Sequence, residues 1–218
     1  MLSTSEENYI KTIYHLAHHD APEVSTNSIA KRLKTKASSV TDMIKKLAEK
    51  NLVNYQKYQG VSLTEDGLYI AKMIVRRHRL WEAFLVEKLD FNWDEVHEVA
   101  EQLEHIQSEK LIKKLDAFLG YPKKDPHGDP IPDADGEIIS VKKILLSELE
   151  VGQEGVCVGV KDTSPSFLQY LDKQEMALGT KIKLMSKEPF DESITVFVNN
   201  REQVFSKMVS NNIYIKNN

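Results

Sequence analysis

The 218-residue chain reads as a mainly α protein with small β parts, on three observations. Apolar residues recur at helical spacing between residues 6 and 120. Two short strand-like runs interrupt them near residue 55, and beyond residue 138 the texture changes to short alternating strands.

Glu6 to about His18 forms the first helix, with Tyr9, Ile10, Ile13, Tyr14 and Ala17 at helical spacing. Asp20-Ala21-Pro22 ends it, because proline pushes its predecessor out of the α region. Thr26 or Asn27 caps a short second helix carrying Ile29, Ala30 and Leu33 on one side. A third starts at Ser38 or Ser39, where Val40, Met43, Ile44, Leu47 and Ala48 make an amphipathic stripe. Leu52–Tyr55 and Val61–Leu63 follow as two strands joined by a turn around Gln59-Gly60. Tandem helices followed by a small hairpin outline a winged helix-turn-helix.

From Thr64 a long helix runs to about Leu89. A second spans Asn92 or Trp93 to about Gln107, and a third runs from Ser108 to Gly120. Residues 121–138 hold four of the seven prolines and form a linker or structured loop. Strands at Gly155–Lys161, Thr180–Lys187 and Ser193–Asn199, with a helical Ser166–Ala177, build a small β-barrel. The expected domains are residues 1–63, 64–138 and 139–218.

Composition narrows the function. One cysteine, Cys157, excludes a disulfide framework and a multi-cysteine zinc or iron–sulfur site. No long apolar run or leader is visible, so the expectation is a cytoplasmic protein with no membrane contact. The net charge of −4 is uneven, with nine Lys/Arg against six Asp/Glu in residues 1–60 and an acidic remainder. A basic head on an acidic body suits a phosphate-bearing partner at one end.

Without its apolar stripe, the third helix presents Ser38, Ser39, Thr41, Asp42, Lys45 and Lys46, with Lys36 just before it. Short polar side chains at the start of such a helix reach base edges, and lysines meet phosphates. An ordinary solvated face gives the same pattern, but the preceding helix, the hairpin with Lys57 and the local positive charge favour DNA.

The acidic part holds a second pattern. His78 and Glu82 lie one turn apart on the long helix. On a continuous helix, His97, Glu101, Glu104 and His105 fall within one arc of about 100°. A wet helix face is one explanation. The other is an imidazole–carboxylate nest whose repulsion a divalent cation relieves. Such nitrogen and oxygen donors suit manganese or ferrous iron. The zinc-protease motif fails, since position 101 is Glu where it needs His, and no P-loop or nucleophile elbow is present.

The winged head, then R-R-H-R-L-W-E and V-H-E-V-A-E-Q-L-E-H, then D-P-H-G-D-P-I-P, resemble the DtxR/MntR metal-dependent repressors over residues 5 to about 132. The stretch L-S-E-L-E-V-G-Q-E-G-V is similar to the SH3-like, FeoA-type domain of longer members. The resemblance implies one metal position from His78, Glu82 and His97, and another from Glu101, Glu104 and His105 with Asn8. Asn8 departs from the methionine or aspartate of similar members. Glu101 matches the manganese-type branch, but Lys11 stands where that branch has a glutamate ligand. Asp162–Ser166 does not reproduce the ligands that the iron-type branch takes from its C-terminal domain.

The expected function is therefore a homodimeric repressor, not an enzyme, that senses Mn(II) or Fe(II), binds double-stranded operator DNA and controls metal-uptake genes. A winged-helix regulator answering to an organic ligand and a metal-dependent hydrolase are the rival readings.

Overall fold

A computed structural model describes residues 2–19, 23–56, 60–139 and 142–217. They divide into two compact units. The first comprises Met1–His78, Glu101–Ile112 and Pro132–Glu137; the second comprises Arg79–Ala100, Lys113–Ile131 and Ile138–Asn218.

The first unit contains α1 (Thr4–His19), α2 (Thr26–Arg32), α3 (Ala37–Glu49) and the hairpin β1 (Val53–Gln56) with β2 (Gly60–Leu63). Helix α1 starts in a capping box: Ser3 Oγ accepts from the Glu6 amide at 3.3 Å, and Glu6 Oε2 accepts from the Ser3 amide at 2.9 Å. The cap of α2 is Ser25, whose side chain accepts from the Ser28 amide, rather than Thr26 or Asn27. Ile10, Ile13, Ile29, Val40, Ile44, Leu47 and Val61 are fully buried in one core. Val24 exchanges two backbone hydrogen bonds with Val61 and so extends the hairpin by one bridge.

Helix α4 (Glu65–Leu89) is signalled by Thr64. Its hydroxyl accepts from the Gly67 amide at 3.0 Å and donates to the Asn51 carbonyl at 2.9 Å. Gly67 is required there, since a Cβ would lie 1.9 Å from the Leu52 carbonyl oxygen. After α4 come α5 (Val96–Leu103) and α6 (Glu109–Phe118). Helix α5 is shorter than the Asn92–Gln107 expected from sequence. Asn92–Glu95 forms a turn held by the Glu95 carboxylate on the Asn92 amide, and a second turn follows Leu103.

The second unit contains β3 (Ile144–Leu145), a short 3-10 turn, β4 (Glu154–Val160), α7 (Pro165–Lys173), β5 (Lys181–Lys187), β6 (Ile194–Val198), β7 (Arg201–Phe205), α8 (Lys207–Ser210) and β8 (Ile213–Asn217). Among the described residues the strands form one antiparallel sheet in the order β3-β8-β4-β5-β6-β7. Leu146, Leu149, Leu168, Leu184, Val196, Phe205, Ile213 and Ile215 fill its core. Strand β7 lay outside the sequence expectation because its inward positions include Gln203, whose Nε2 donates to the Gln174 carbonyl at 3.2 Å. The β6–β7 turn did carry a signal: Asn199 and Asn200 have φ of 50° and 62°, as a type I′ hairpin turn demands.

The proline-rich stretch is a structured loop. Asp125 Oδ1 accepts from the amides of His127 and Asp129, each at 2.9 Å. The His127 carbonyl in turn accepts from the Val160 amide at 3.0 Å, beside an irregularity in the β4–β8 pairing between Cys157 and Gly159. Cys157 is buried in β4, as a core residue.

Candidate metal centre and nucleic-acid face

In the first unit, a buried polar cluster joins α1 and α4 to the residues around the end of α5. Glu104 is fully buried, and its Oε2 lies 2.6 Å from both the Lys11 ammonium and His78 Nδ1. Lys11 also reaches Glu101 Oε1 at 2.7 Å. Among the described residues Glu104 Oε1 has no hydrogen-bond partner, and the nearby His105 Nε2 is 3.8 Å away. Such an orphaned carboxylate oxygen is costly in a dry site and fits a cation-binding role.

Glu104 and His105 do not continue the helical arc that spacing suggests, because α5 stops at Leu103. Arg77 donates to the Glu104 carbonyl, and Gln107 donates to the Leu2 carbonyl and to Glu7. These long-range bonds replace the helical ones and turn Glu104 inward. Sequence reasoning missed Glu7: it is buried on α1, takes Arg77 Nη2 at 2.7 Å and faces His105 Nδ1 at 2.6 Å. Asn8 is half-buried on α1 beside it.

In the second unit, Glu82 is buried and lies 3.3 Å from His97 Nδ1 through Oε1. Its Oε2 faces His127 Nδ1 at 3.7 Å. His127 Nε2 meets the Trp93 carbonyl at 2.7 Å, and the two rings stack 6.1 Å apart. Burial opposes charge on the His127 imidazole, but Glu82 and Asp125 outweigh it and push its pKa up to about 9. Burial, reinforced by Glu82 and Asp129, pushes Asp125 up to about 7 against the pull of Arg79. Ligand atoms of Glu82, Asp125 and His127 all lie within 4.8 Å of one another. The signal for the last two was the Asp-Pro-His-Gly run itself, a titratable pair inside a proline-rich loop.

Of the residues expected at the metal, Glu101, Glu104 and His78 thus converge in the first unit, with His105 at their edge. Glu82 and His97 pair in the second. His78 and Glu82 are one turn apart on α4. Every donor in these groups is an imidazole or a carboxylate, a set suited to Mn(II) or Fe(II). The thiol of Cys157 lies in the separate core of the sheet, where burial pushes its pKa up to about 11.

The face expected to meet DNA is open. Lys36, Ser38, Ser39, Asp42, Lys45 and Lys46 are exposed, and Thr41 is half-buried with its hydroxyl donating to the Ala37 carbonyl at 3.0 Å. Val40, Ile44 and Leu47 point the other way into the core. Lys46 lies 3.1 Å from Glu6, which Lys50 also engages at 2.7 Å. Lys50, the Ser3 amide and Lys46 hold the Glu6 carboxyl down at about 2. Lys57 lies outside the described residues.

Residues 1–61 match the iron dependent repressor N-terminal DNA binding domain, residues 64–133 the metal binding and dimerisation domain, and residues 144–217 the FeoA domain. An uncharacterized HTH-type transcriptional regulator of Methanocaldococcus jannaschii is 37% identical over 118 residues, which cover 54% of this chain and 94% of that protein. The iron-dependent repressor IdeR of Mycobacterium leprae is 30% identical over 158 residues, covering 69% of this chain and 68% of IdeR. A solved manganese-dependent transcriptional repressor in complex with manganese superposes with a TM-score of 0.86 at 34% identity, covering 98% of this chain and 100% of that one. Winged head, acid–histidine helices and terminal sheet therefore make this chain a member of the DtxR/MntR family of metal-dependent transcriptional repressors, with a C-terminal FeoA domain.

Proposed function

We propose that the protein is a homodimeric, cytoplasmic repressor that binds double-stranded operator DNA when it holds Mn(II) or Fe(II), and that it controls metal-uptake genes. The observation that carries this most directly is the buried Glu82 carboxylate with His97 at 3.3 Å, a ready pair of metal donors. His78, one turn earlier on α4, is assigned with them. The family's second position falls on Glu101, Glu104 and His105 with Asn8, where the Lys11 ammonium stands 2.7 Å from Glu101 and 2.6 Å from Glu104. A regulator rather than an enzyme is the reading, with residues 1–63 for DNA, 64–138 for metal and dimerisation and 139–218 as the FeoA-type part.

A bound divalent ion supplies charge neutralisation and a fixed link between donor side chains. The chain's own residues do the rest. Ser38, Ser39, Thr41 and Asp42 offer base-edge contacts from α3, while Lys36, Lys45, Lys46 and Lys57 offer phosphate contacts. The head must be oriented so that two copies of α3 meet successive major-groove turns. Metal promotes DNA binding only so far as it favours that orientation, and DNA must tighten metal binding by the same factor.

Fluorescence anisotropy with DNA from upstream of the protein's own gene tests the reading, using metal-stripped protein titrated anaerobically with Mn(II) or Fe(II). Tightening of tenfold or more, about 1.4 kcal/mol of coupling, is expected. Loss of the response in Glu82→Gln or His97→Ala, with DNA affinity in chelator unchanged, ties it to the pair. Equal binding in chelator and in metal would overturn the metal switch.

A further inference from the structure

We propose that the Lys11 ammonium is the resident cation of the Glu101–Glu104 position, so that α1 is tied to the end of α5 without a metal ion there. Metal sensing then runs through Glu82 and His97, a consequence that rests on the function proposed above.

Lys11 Nζ lies 2.7 Å from Glu101 Oε1 and 2.6 Å from Glu104 Oε2, bridging the two carboxylates as a cation would. The bridge is not a surface ion pair. Glu104 is fully buried, and the Lys11 side chain is only 11% exposed, with its helix neighbours Ile10 and Ile13 in the core. An ammonium is a compact point charge with three donors, and two of them are spent on these oxygens. A transition-metal ion would sit about 2.0–2.2 Å from the same carboxylate oxygens, within the volume that the ammonium fills. It would also meet a like charge, since a protonated amine repels a cation and has no lone pair to give it.

The Glu82 cluster, like Glu104 with His78 and His105, is built on imidazoles. Its carboxylate faces two imidazoles, His97 and His127, and an imidazole nitrogen can coordinate. Imidazoles face both carboxylates, so what separates the two groups is the amine that bridges Glu101 and Glu104. One is closed by an amine from α1, and the other is lined by donors.

Counting Mn(II) bound per full-length chain, by the electron paramagnetic resonance signal of free Mn(II) at equilibrium, tests the assignment. Lys11→Glu should bind one more Mn(II) than the unaltered chain, because it removes the ammonium and adds a carboxylate between Glu101 and Glu104. Glu101→Gln, at a residue whose side chain is 40% exposed, should leave the unaltered chain's count as it is. An unchanged count in folded Lys11→Glu, or the loss of an ion in Glu101→Gln, would overturn the proposal. If Lys11→Glu does not fold, the Glu101→Gln count decides alone. A count of zero in the unaltered chain with one in Lys11→Glu would uphold the resident cation while removing the metal-sensing function, so the two readings fail separately.

Discussion

Lys46, on the helix that faces outward from the winged head, is held by Glu6 of α1, with Nζ and Oε1 3.1 Å apart. Lys45 beside it is exposed on the same helix. The two lysines therefore differ in how readily they can serve a phosphate. Lys45→Ala should reduce the salt slope of DNA binding by about 1, and Lys46→Ala by less, since Lys46 must first leave Glu6. Equal slopes for the two variants in anisotropy titrations against salt would contradict this ranking.

Glu6→Gln reverses the situation by releasing both Lys46 and Lys50. DNA affinity should rise at low salt, while the metal-free fold loses about 1 kcal/mol. The sign with pH follows from the carboxyl being held at about 2, below its ordinary 4.5. Its stabilising contribution is complete above about pH 4.5 and fades as pH falls toward 2. Urea unfolding should thus separate variant and parent at pH 7, with the gap narrowing as pH falls toward 2. A gap that widens in acid would refute the ion-pair account.

Gly128 has a φ of +87°, and a Cβ there would lie 2.2 Å from the Val158 carbonyl oxygen. Gly128→Ala should cost well over 2 kcal/mol, because a backbone clash adds to the left-handed strain. Gly120 is the control: its φ is +73°, and a Cβ would meet nothing within 4 Å among the described residues. Gly120→Ala should cost only about 1–2 kcal/mol. Chemical denaturation midpoints compare the two, and similar losses would mean that the clash is relieved by a small backbone shift.

Cys157 should be a slow thiol. Burial pushes its pKa up to about 11 from 9.0, so near pH 8 its thiolate fraction falls about a hundredfold. Ellman's reagent should react at that reduced rate or slower in the native protein and rapidly in denaturant. The same shift means that stability declines as pH rises past 9.0, since the unfolded chain ionises first. Rapid native labelling would show that β4 opens easily.

Much of this was legible in residue patterns, for a physical reason. The stripe of Val40, Ile44 and Leu47 has one period and one core to face, so α3 follows from spacing alone. The stretch from Val96 to Gln107 has a comparable stripe, yet its end is decided elsewhere. Arg77, Leu2 and Glu7 capture Glu104 and Gln107 from distant parts of the chain and stop the helix. Glu101, Glu104 and His105 could be grouped from spacing, but the amine between the first two comes from a helix 90 residues away. Local periodicity carries no trace of such a partner. Gln203, a polar residue at an inward strand position, hid β7 in the same way.

The crossing of Gly128 over Gly159, with the His127 carbonyl bonded to the Val160 amide, bears on how relatives of this chain can be recombined. The proline-rich loop and β4 share a hydrogen bond and leave no room for a methyl group at Gly128. A chimera cut at residue 139 would give a transplanted sheet a foreign loop, and any side chain at position 128 would collide with its bulged strand. A cut before Tyr121 moves loop and strand together, and that is the cassette evolution or an engineer could exchange intact.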